Sequence, residues 1–310
     1  MLRGNKRQRR AQSDFSGKSD RGSLNFKSKL SHHEGDIMMV AKRNVVQIPP
    51  TMTIMGAVKT MVKYRFRRLP VSDPGTNKLR GIVTVMDIVN FLGGSDKAQI
   101  IEHKHRGNLL SAVNAEISSI MEEEVITLHE QDTISDAIKT MLRRNVSGFP
   151  IVNEDSTVIG IVSERDFVSL VANIVTGKRL SDIMSRDVVT ARPDTTVEEA
   201  AQLMISNDFT RVPIVQEGVM LGVVTTSDIV NYLGSGEVFE KLVTGNLHEA
   251  LGIPIKVLAR EAPISVDPTL DIGEAAGLMM ARNASVLSVV TNGALSGIVT
   301  ERDFLGAIGD

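Results

Sequence analysis

The chain closes on GIVTERDFLGAIGD (297–310), and close variants have appeared three times before: GIVTVMDIVNFLGG (81–94), GIVSERDFVSL (160–170) and GVVTTSDIVNYLGSG (222–236). Glycine, an apolar pair, a hydroxyl residue, two variable positions and an aspartate recur as one unit. The aspartates Asp87, Asp166, Asp228 and Asp303 are spaced 79, 62 and 75 residues apart, a long–short–long rhythm. Internal repeats of this length decide the fold before any single residue does.

Walking back from each aspartate recovers a second shared block: VVQIPPTMTIMGAVKTM, VITLHEQDTISDAIKTM, VVTARPDTTVEEAAQLM and PISVDPTLDIGEAAGLM align without a gap. Each reads as a short apolar strand, a turn and a helix start. Thr53, Thr133, Thr196 and Asp271 stand at the N-cap, with Glu199 and Glu274 placed three residues on to close capping boxes. The helix that follows has one apolar face, Ile134, Ala137, Ile138, Met141 and Leu142 in copy two and Val197, Ala200, Ala201, Met204 and Ile205 in copy three. A strand with an early proline comes next (RRLPV, SGFPI, TRVPI), then the glycine strand, and the aspartate opens a closing helix.

One unit is therefore strand, helix, strand, strand, helix, an α/β repeat too small to bury both faces of its sheet. The copies must pair. Long inserts follow copies one and three, whereas copies two and three are joined by a short link, so the order reads (1–2)(3–4), two tandem pseudo-twofold modules. The boundaries are an arm at 1–30, repeats at 36–94, 117–178, 179–234 and 256–310, and linkers at 95–116 and 235–255. On this reading, fragments 36–178 and 179–310 should each fold alone.

With 42% hydrophobic residues the 310-residue chain can fill real cores, but aromatics are 4% and tryptophan is absent, so Val, Ile, Leu, Met and Ala must build them. There is no cysteine, hence no disulfide, thiolate nucleophile or thiolate metal site, as befits a reducing, cytoplasmic setting. No apolar run approaches the roughly 18–20 residues of a membrane span. The net charge of −2 conceals an asymmetry: residues 1–30 carry nine Lys/Arg against two Asp/Glu. That Gly/Ser/Arg-rich head lacks apolar periodicity and reads as a disordered basic arm, either a solvated tail or a contact for RNA, DNA or an acidic partner.

The hydroxyl–aspartate pairs, Thr84/Asp87, Ser163/Asp166, Thr225/Asp228 and Thr300/Asp303, fall where a strand hands over to a helix. Asp in the first turn is favourable against the helix dipole, and helix capping is one reading. The other is chemical: a carboxylate accepts both hydroxyls of a ribose, and the adjacent hydroxyl and free N–H groups hold a phosphate.

Taken together, the capped helix, the proline strand and the G-h-h-[S/T]-x-x-D unit (h, apolar) resemble the cystathionine β-synthase (CBS) domain. Four in a row are similar to the regulatory γ subunit of AMP-activated protein kinase and its archaeal relatives, over about 36–310. The resemblance implies a non-catalytic adenine-nucleotide sensor, taking AMP, ADP or ATP and regulating a partner protein. It implies that the four aspartates bind ribose and the neighbouring Ser/Thr lie beside ribose or phosphate. First-strand positions on the adenine/ribose side are Thr127, Thr190 and Ser265, with Gln47 departing in copy one. Phosphate positions before the proline strand are Arg67 and Arg68 in copy one and Thr210 and Arg211 in copy three. Copy two has Ser147 and Gly148 there, and copy four Val286 and Leu287, with Ser288 in place of the proline. Arg165 and Arg302, in SERD and TERD, are either further phosphate contacts or salt bridges across the pair interface. Copy three alone combines Thr190, Arg211 and the Thr225/Asp228 pair.

Other classes find less support. No nucleophile elbow, phosphate-loop lysine or HExxH motif is present, and His103, His105, His32 and His33 lack partners at ligand spacing, so neither an enzyme nor a metal site is expected. No cofactor is called for. The rival function is a nucleic-acid-binding regulator with the basic arm as anchor and a ligand-gated core; the alternative ligand is S-adenosylmethionine or another adenosyl compound. A homodimer is compatible with the repeats.

Overall fold

The computed structural model describes residues 36–93, 97–259 and 263–309; the basic arm lies outside them. Each repeat builds the expected order. The opening helices are Ile54–Tyr64, Ile134–Arg144, Val197–Asn207 and Ile272–Ala281, and the closing helices Val85–Leu92, Glu164–Val171, Thr226–Gly234 and Glu301–Gly309. Between them stand antiparallel hairpins: Arg68–Ser72 with Leu79–Thr84, Gly148–Val152 with Val158–Ser163, Arg211–Gln216 with Val219–Thr225, and Val286–Thr291 with Ala294–Thr300. Every hairpin carries a register shift near its turn, so the copies repeat even their irregularity.

The first strand is shorter than its sequence suggests. It is two residues long in repeats two and four (Leu128–His129, Ser265–Val266) and a single parallel bridge in repeats one and three, Ile48 to Val71 and Ala191 to Ile214. Proline at the third hairpin residue supplies the carbonyl it needs: Ile48 N donates to Pro70 O at 3.1 Å and Ala191 N to Pro213 O at 2.9 Å.

The opening helices bury the predicted stripe at i, i+3, i+4 and i+7, from Ile54, Ala57, Val58 and Met61 to Ile272, Ala275, Ala276 and Met279. The i+8 positions fall off it; Leu142 is exposed and Ile205 only partly buried. Thr196 and Glu199 close the expected capping box, but Glu274 does not. Asp271 is acceptor-only and takes the amide of Gly273 instead, while Thr176 and Gly177 amides also donate to it. A box missed in the sequence forms at Thr133 and Asp136.

Each repeat's lead-in segment crosses to its pair partner. Asp36 caps repeat two, accepting from Ile134 N at 2.6 Å. In return Ile117, at the start of repeat two, donates to Met52 O of repeat one at 2.7 Å. Likewise Leu180 N reaches Leu270 O at 2.9 Å, and Ile255 N reaches Thr195 O at 2.8 Å. This reciprocal exchange ties (1–2) and (3–4).

The helices do something else. One hydrophobic core joins repeats one and three, and a second joins two and four. Gly93 lies against Ala201 and Ile205, and Gly234 against Val58 and Val62, so closing helices of repeats one and three sit on each other's opening helices. The expectation that each tandem pair closes its own core is thus corrected. Pairs share lead-ins, but their helix faces are completed only by the other pair. The two long inserts meet beside the first core, where Leu109 N donates to Gly245 O at 3.2 Å.

Candidate functional site

The four repeats turn the junctions between hairpins and closing helices toward one another, enclosing a cavity of about 780 Å3 lined by residues from every repeat. Arg67, Arg68 and Asp87 line it from repeat one, Ser147 and Glu164 from repeat two, Thr210 and Arg211 from repeat three, and Thr300, Arg302 and Asp303 from repeat four. A second cavity, about 160 Å3, holds Ser163, Arg165 and Asp166 against Lys42, Asn44 and Val45 of repeat one, and shares Arg67 and Arg68 with the first. Thr225 and Asp228 lie outside both.

The hydroxyl–aspartate pairs are capping boxes. Thr84 N and Oγ1 both donate to Asp87 Oδ2 at 2.7 Å, and the Asp87 amide returns a bond to Thr84 Oγ1 at 3.2 Å. Ser163/Asp166, Thr225/Asp228 and Thr300/Asp303 repeat the donation to Oδ2. The helix therefore begins right after the hydroxyl residue, and the aspartate is its third residue rather than its start. A capping box does require that hydroxyl, so its recurrence is explained by helix geometry. Yet only one carboxylate oxygen is consumed. Oδ1 of Asp87 accepts from Lys97, Oδ1 of Asp166 faces Lys42 Nζ at 3.2 Å, and Oδ1 of Asp303 accepts from Ser185 Oγ at 3.3 Å. The cap thus uses one carboxylate oxygen and these neighbouring side chains the other.

Backbone bridges set the lead segment of the partner repeat beside the glycine strand, Lys42 to Ile161, Glu122 to Ile82 and Ser185 to Ile298. Val125 and Ile126 share the large cavity with Asp87, Val188 and Val189 share it with Asp303, and Val45 and Val46 share the small one with Asp166. Gln47, Thr127, Thr190 and Ser265 line neither cavity; Gln47 accepts from the hydroxyl of Ser72 at 2.6 Å. Sequence reasoning missed the apolar pair just before these positions, although it recurs at one offset in three copies. The grouping of Thr190, Arg211 and Asp228 at one site is likewise corrected, because Arg211 lines the large cavity and Thr190 and Asp228 line neither, while Ser185, in the segment leading into Thr190, bonds to Asp303.

Arginines crowd the centre. Arg68 donates to Ser147 O at 2.8 Å and Ser147 Oγ at 2.6 Å, lying across Gly148, where any Cβ would collide with its guanidinium. Burial, with Arg67 alongside, lowers its pKa to about 10. Arg165 and Arg302 make reciprocal bonds between repeats two and four: Arg165 Nη1 to Glu301 at 3.1 Å, Arg302 Nε to Glu164 at 3.0 Å. They are salt bridges, but across the helical interface rather than within a tandem pair. Arg67 crosses to the far pair and grips Glu301 with Nη2 at 2.7 and 3.0 Å. Arg211 lines the cavity with a buried Nε that finds no acceptor among the described residues. In repeat four Ser288 is buried with its hydroxyl on Met220, and no basic group replaces the missing arginine.

The comparisons with known proteins fit this geometry. The model of the CBS domain family matches residues 35–94, 117–173, 180–235 and 255–310. The chain belongs to the CBS-domain family. An uncharacterised protein of Methanocaldococcus jannaschii, MJ1225, is 38% identical over 272 residues, 87% of this chain and 97% of that one. Its crystal structure, described as that of a proposed archaeal homologue of g-AMPK, superposes with a TM-score of 0.82 over 87% of this chain and 99% of that one. An uncharacterised protein from a ribosomal RNA operon of Thermofilum pendens is 28% identical over 83% of this chain and 86% of its own length. Inosine-5'-monophosphate dehydrogenase of M. jannaschii is 36% identical over 35% of this chain but only 21% of the enzyme, and the likeness is confined to the CBS part. CBS-domain proteins are generally regulatory rather than catalytic. Among the described residues no acidic, His or Cys cluster is disposed to hold a metal ion, and no helix is long and apolar enough to cross a membrane.

Proposed function

We propose that this chain is a non-catalytic sensor of adenine nucleotides, AMP, ADP or ATP, that regulates a partner protein. The observation that carries the reading is the composite cavity. Asp87 and Asp303 line it, each keeping Oδ1 apart from the capping bonds, together with the apolar pairs Val125–Ile126 and Val188–Val189. Arg67, Arg68 and Arg211 line the same cavity. Carboxylate for a ribose diol, apolar side chains for a flat base and guanidinium groups for phosphate are the three chemistries a nucleotide needs. CBS domains commonly bind adenosine ligands, which supports the same reading. Of the phosphate candidates, Arg211 has unmet donor capacity at Nε, whereas Arg68 is committed to Ser147.

Mass spectrometry of small molecules released from the purified, denatured full chain tests the proposal, followed by titration of the stripped protein. Adenine nucleotides in the released fraction and saturable rebinding of AMP are expected. A chain that releases no adenosyl compound and binds none of AMP, ADP and ATP would remove the reading. Release of S-adenosylmethionine alone would keep the site and change the ligand.

A further inference from the structure

Glu301 interacts with arginines from all three other repeats. Glu301 of repeat four, whose side chain is 1% exposed, accepts from Arg67 of repeat one and Arg165 of repeat two. Arg211 of repeat three adds the second-largest favourable charge interaction on it. Burial alone would push the Glu301 pKa up, but Arg67, Arg211 and Arg165 together hold it below the usual carboxylate range. The charge is therefore present at neutral pH.

The Arg165–Glu301 contact has a pseudo-symmetric counterpart in Arg302–Glu164, and a structural clasp between repeats two and four would account for both. The Arg67–Glu301 contact has no counterpart, because the position equivalent to Arg67 in repeat three is Thr210. Arg67 is also a residue that lines both cavities. Its fork can point two parallel donors at one anion, and both described bonds of Nη2 go to Glu301.

Resting on the nucleotide reading above, we infer that Glu301 is a specificity-determining residue: an internal anion that competes with ligand phosphate for Arg67. A phosphate entering either cavity must draw Arg67 away from Glu301 or tolerate that carboxylate behind it. Adenosine, with no phosphate, does not meet this competition. The penalty should grow with ligand charge, so Glu301 biases the cavities against the more highly phosphorylated forms. Because Glu301 belongs to the second pair and Arg67 to the first, phosphate bound by one pair also acts on a contact to the other.

Calorimetric titration of the full chain and of Glu301→Gln with adenosine, AMP and ATP tests this. The expected result is AMP binding about 10-fold tighter in the variant, a larger gain for ATP and no change for adenosine. Glu301→Asp, which keeps the charge but shortens its reach, should show a smaller gain of the same sign and serves alone if the amide variant does not stay folded. Equal loss of all three ligands, or a gain independent of phosphate number, would overturn the inference and leave a structural clasp. If the wild-type chain binds none of the three, the nucleotide reading has failed, and tripolyphosphate becomes the probe. Tighter tripolyphosphate binding by Glu301→Gln would then sustain the competition, and equal binding would end it.

Discussion

Glu164 and Glu301 occupy the same place in two copies of one motif, SERD and TERD, and both are buried at the first position of a closing helix. Their electrostatics differ in sign. Burial dominates at Glu164 and raises its pKa, with Arg302 opposing; at Glu301 burial is overcome by Arg67, Arg211 and Arg165, and the pKa falls. The cause lies in other repeats. Glu301 receives Arg67, whereas the equivalent of Arg67 in repeat three is Thr210. A second substitution separates the arginines. Arg68 lies across Gly148 of repeat two. In repeat four the hairpin register corrects the sequence alignment by one residue, putting Ser285 and Val286 rather than Val286 and Leu287 at the places of Ser147 and Gly148, and Arg211 is left with an unmet Nε. Copies alike in fold are thus unlike in charge, and each repeat's chemistry is written partly in its neighbours.

The most severe way to break the comparison is to remove one side of it. Cutting after residue 178 separates Glu301 from Arg67 and Arg165 and strips both helical cores of half their apolar face. Fragments 36–178 and 179–310 are expected to self-associate or precipitate when expressed alone and to recover a 1:1 complex when mixed. Size-exclusion chromatography with light scattering decides it; two well-behaved monomers would restore the view that each pair is self-sufficient.

Removing one carboxylate at a time comes next. Glu301→Ala leaves three arginines facing an uncompensated site and should cost about 3–5 kcal/mol, whereas Glu164→Ala removes a group that burial already disfavours and should cost less. Equal losses in denaturant melts would show the two glutamates to be equivalent after all.

Their pH dependences should run in opposite directions. Glu301, with its folded pKa lowered, contributes stability that is present above the ordinary carboxylate pKa and is lost as pH falls through its folded value. The wild-type advantage over Glu301→Gln should therefore shrink on acidification. Glu164, with its folded pKa raised, opposes folding increasingly as pH climbs from the ordinary carboxylate range through its folded value. The wild-type advantage over Glu164→Gln should therefore shrink as pH rises. Thr210→Arg sharpens the contrast by supplying the missing arginine, and should flatten the second profile. Parallel slopes in Tm against pH for the two glutamine variants would refute the assignment.

A smaller effect is expected at the caps. Thr225→Ala removes the hydroxyl that accepts from the Asp228 amide and donates to its carboxylate, for a loss of about 1 kcal/mol. A chemical denaturation curve unchanged within error would mean that the hydroxyl's role lies elsewhere.

How much of this could be read from the chain alone divides along physical lines. Local periodicity reported local structure faithfully: the stripe Ile134, Ala137, Ile138 and Met141 is the buried face of its helix. Periodicity states that a face is buried, but not against what. The joining of repeats one and three depends on Gly93 and Gly234 admitting foreign side chains, and no spacing in the sequence announces that. The crossing of lead-ins was equally silent, since Asp36 and Ile134 are brought together only by the folded pair. At the site, the motif aspartates Asp87, Asp166 and Asp303 line the two cavities and Asp228 lines neither, while the apolar pairs before Thr127 and Thr190, rather than those hydroxyls, line the large one. A hydroxyl draws attention as chemistry, whereas a pair of valines reads as core.

Titration of adenosine and AMP into the full chain and its Asp303→Asn variant tests the central claim most directly. The amide keeps an oxygen for the cap with Thr300 while removing the charged acceptor facing the cavity. If Asp303 holds a ribose diol, both ligands should weaken together at that site by about 10- to 150-fold, with the melting temperature of the unliganded protein nearly unchanged. Unaltered affinities for both ligands would contradict the account and leave Asp303 as a helix cap alone.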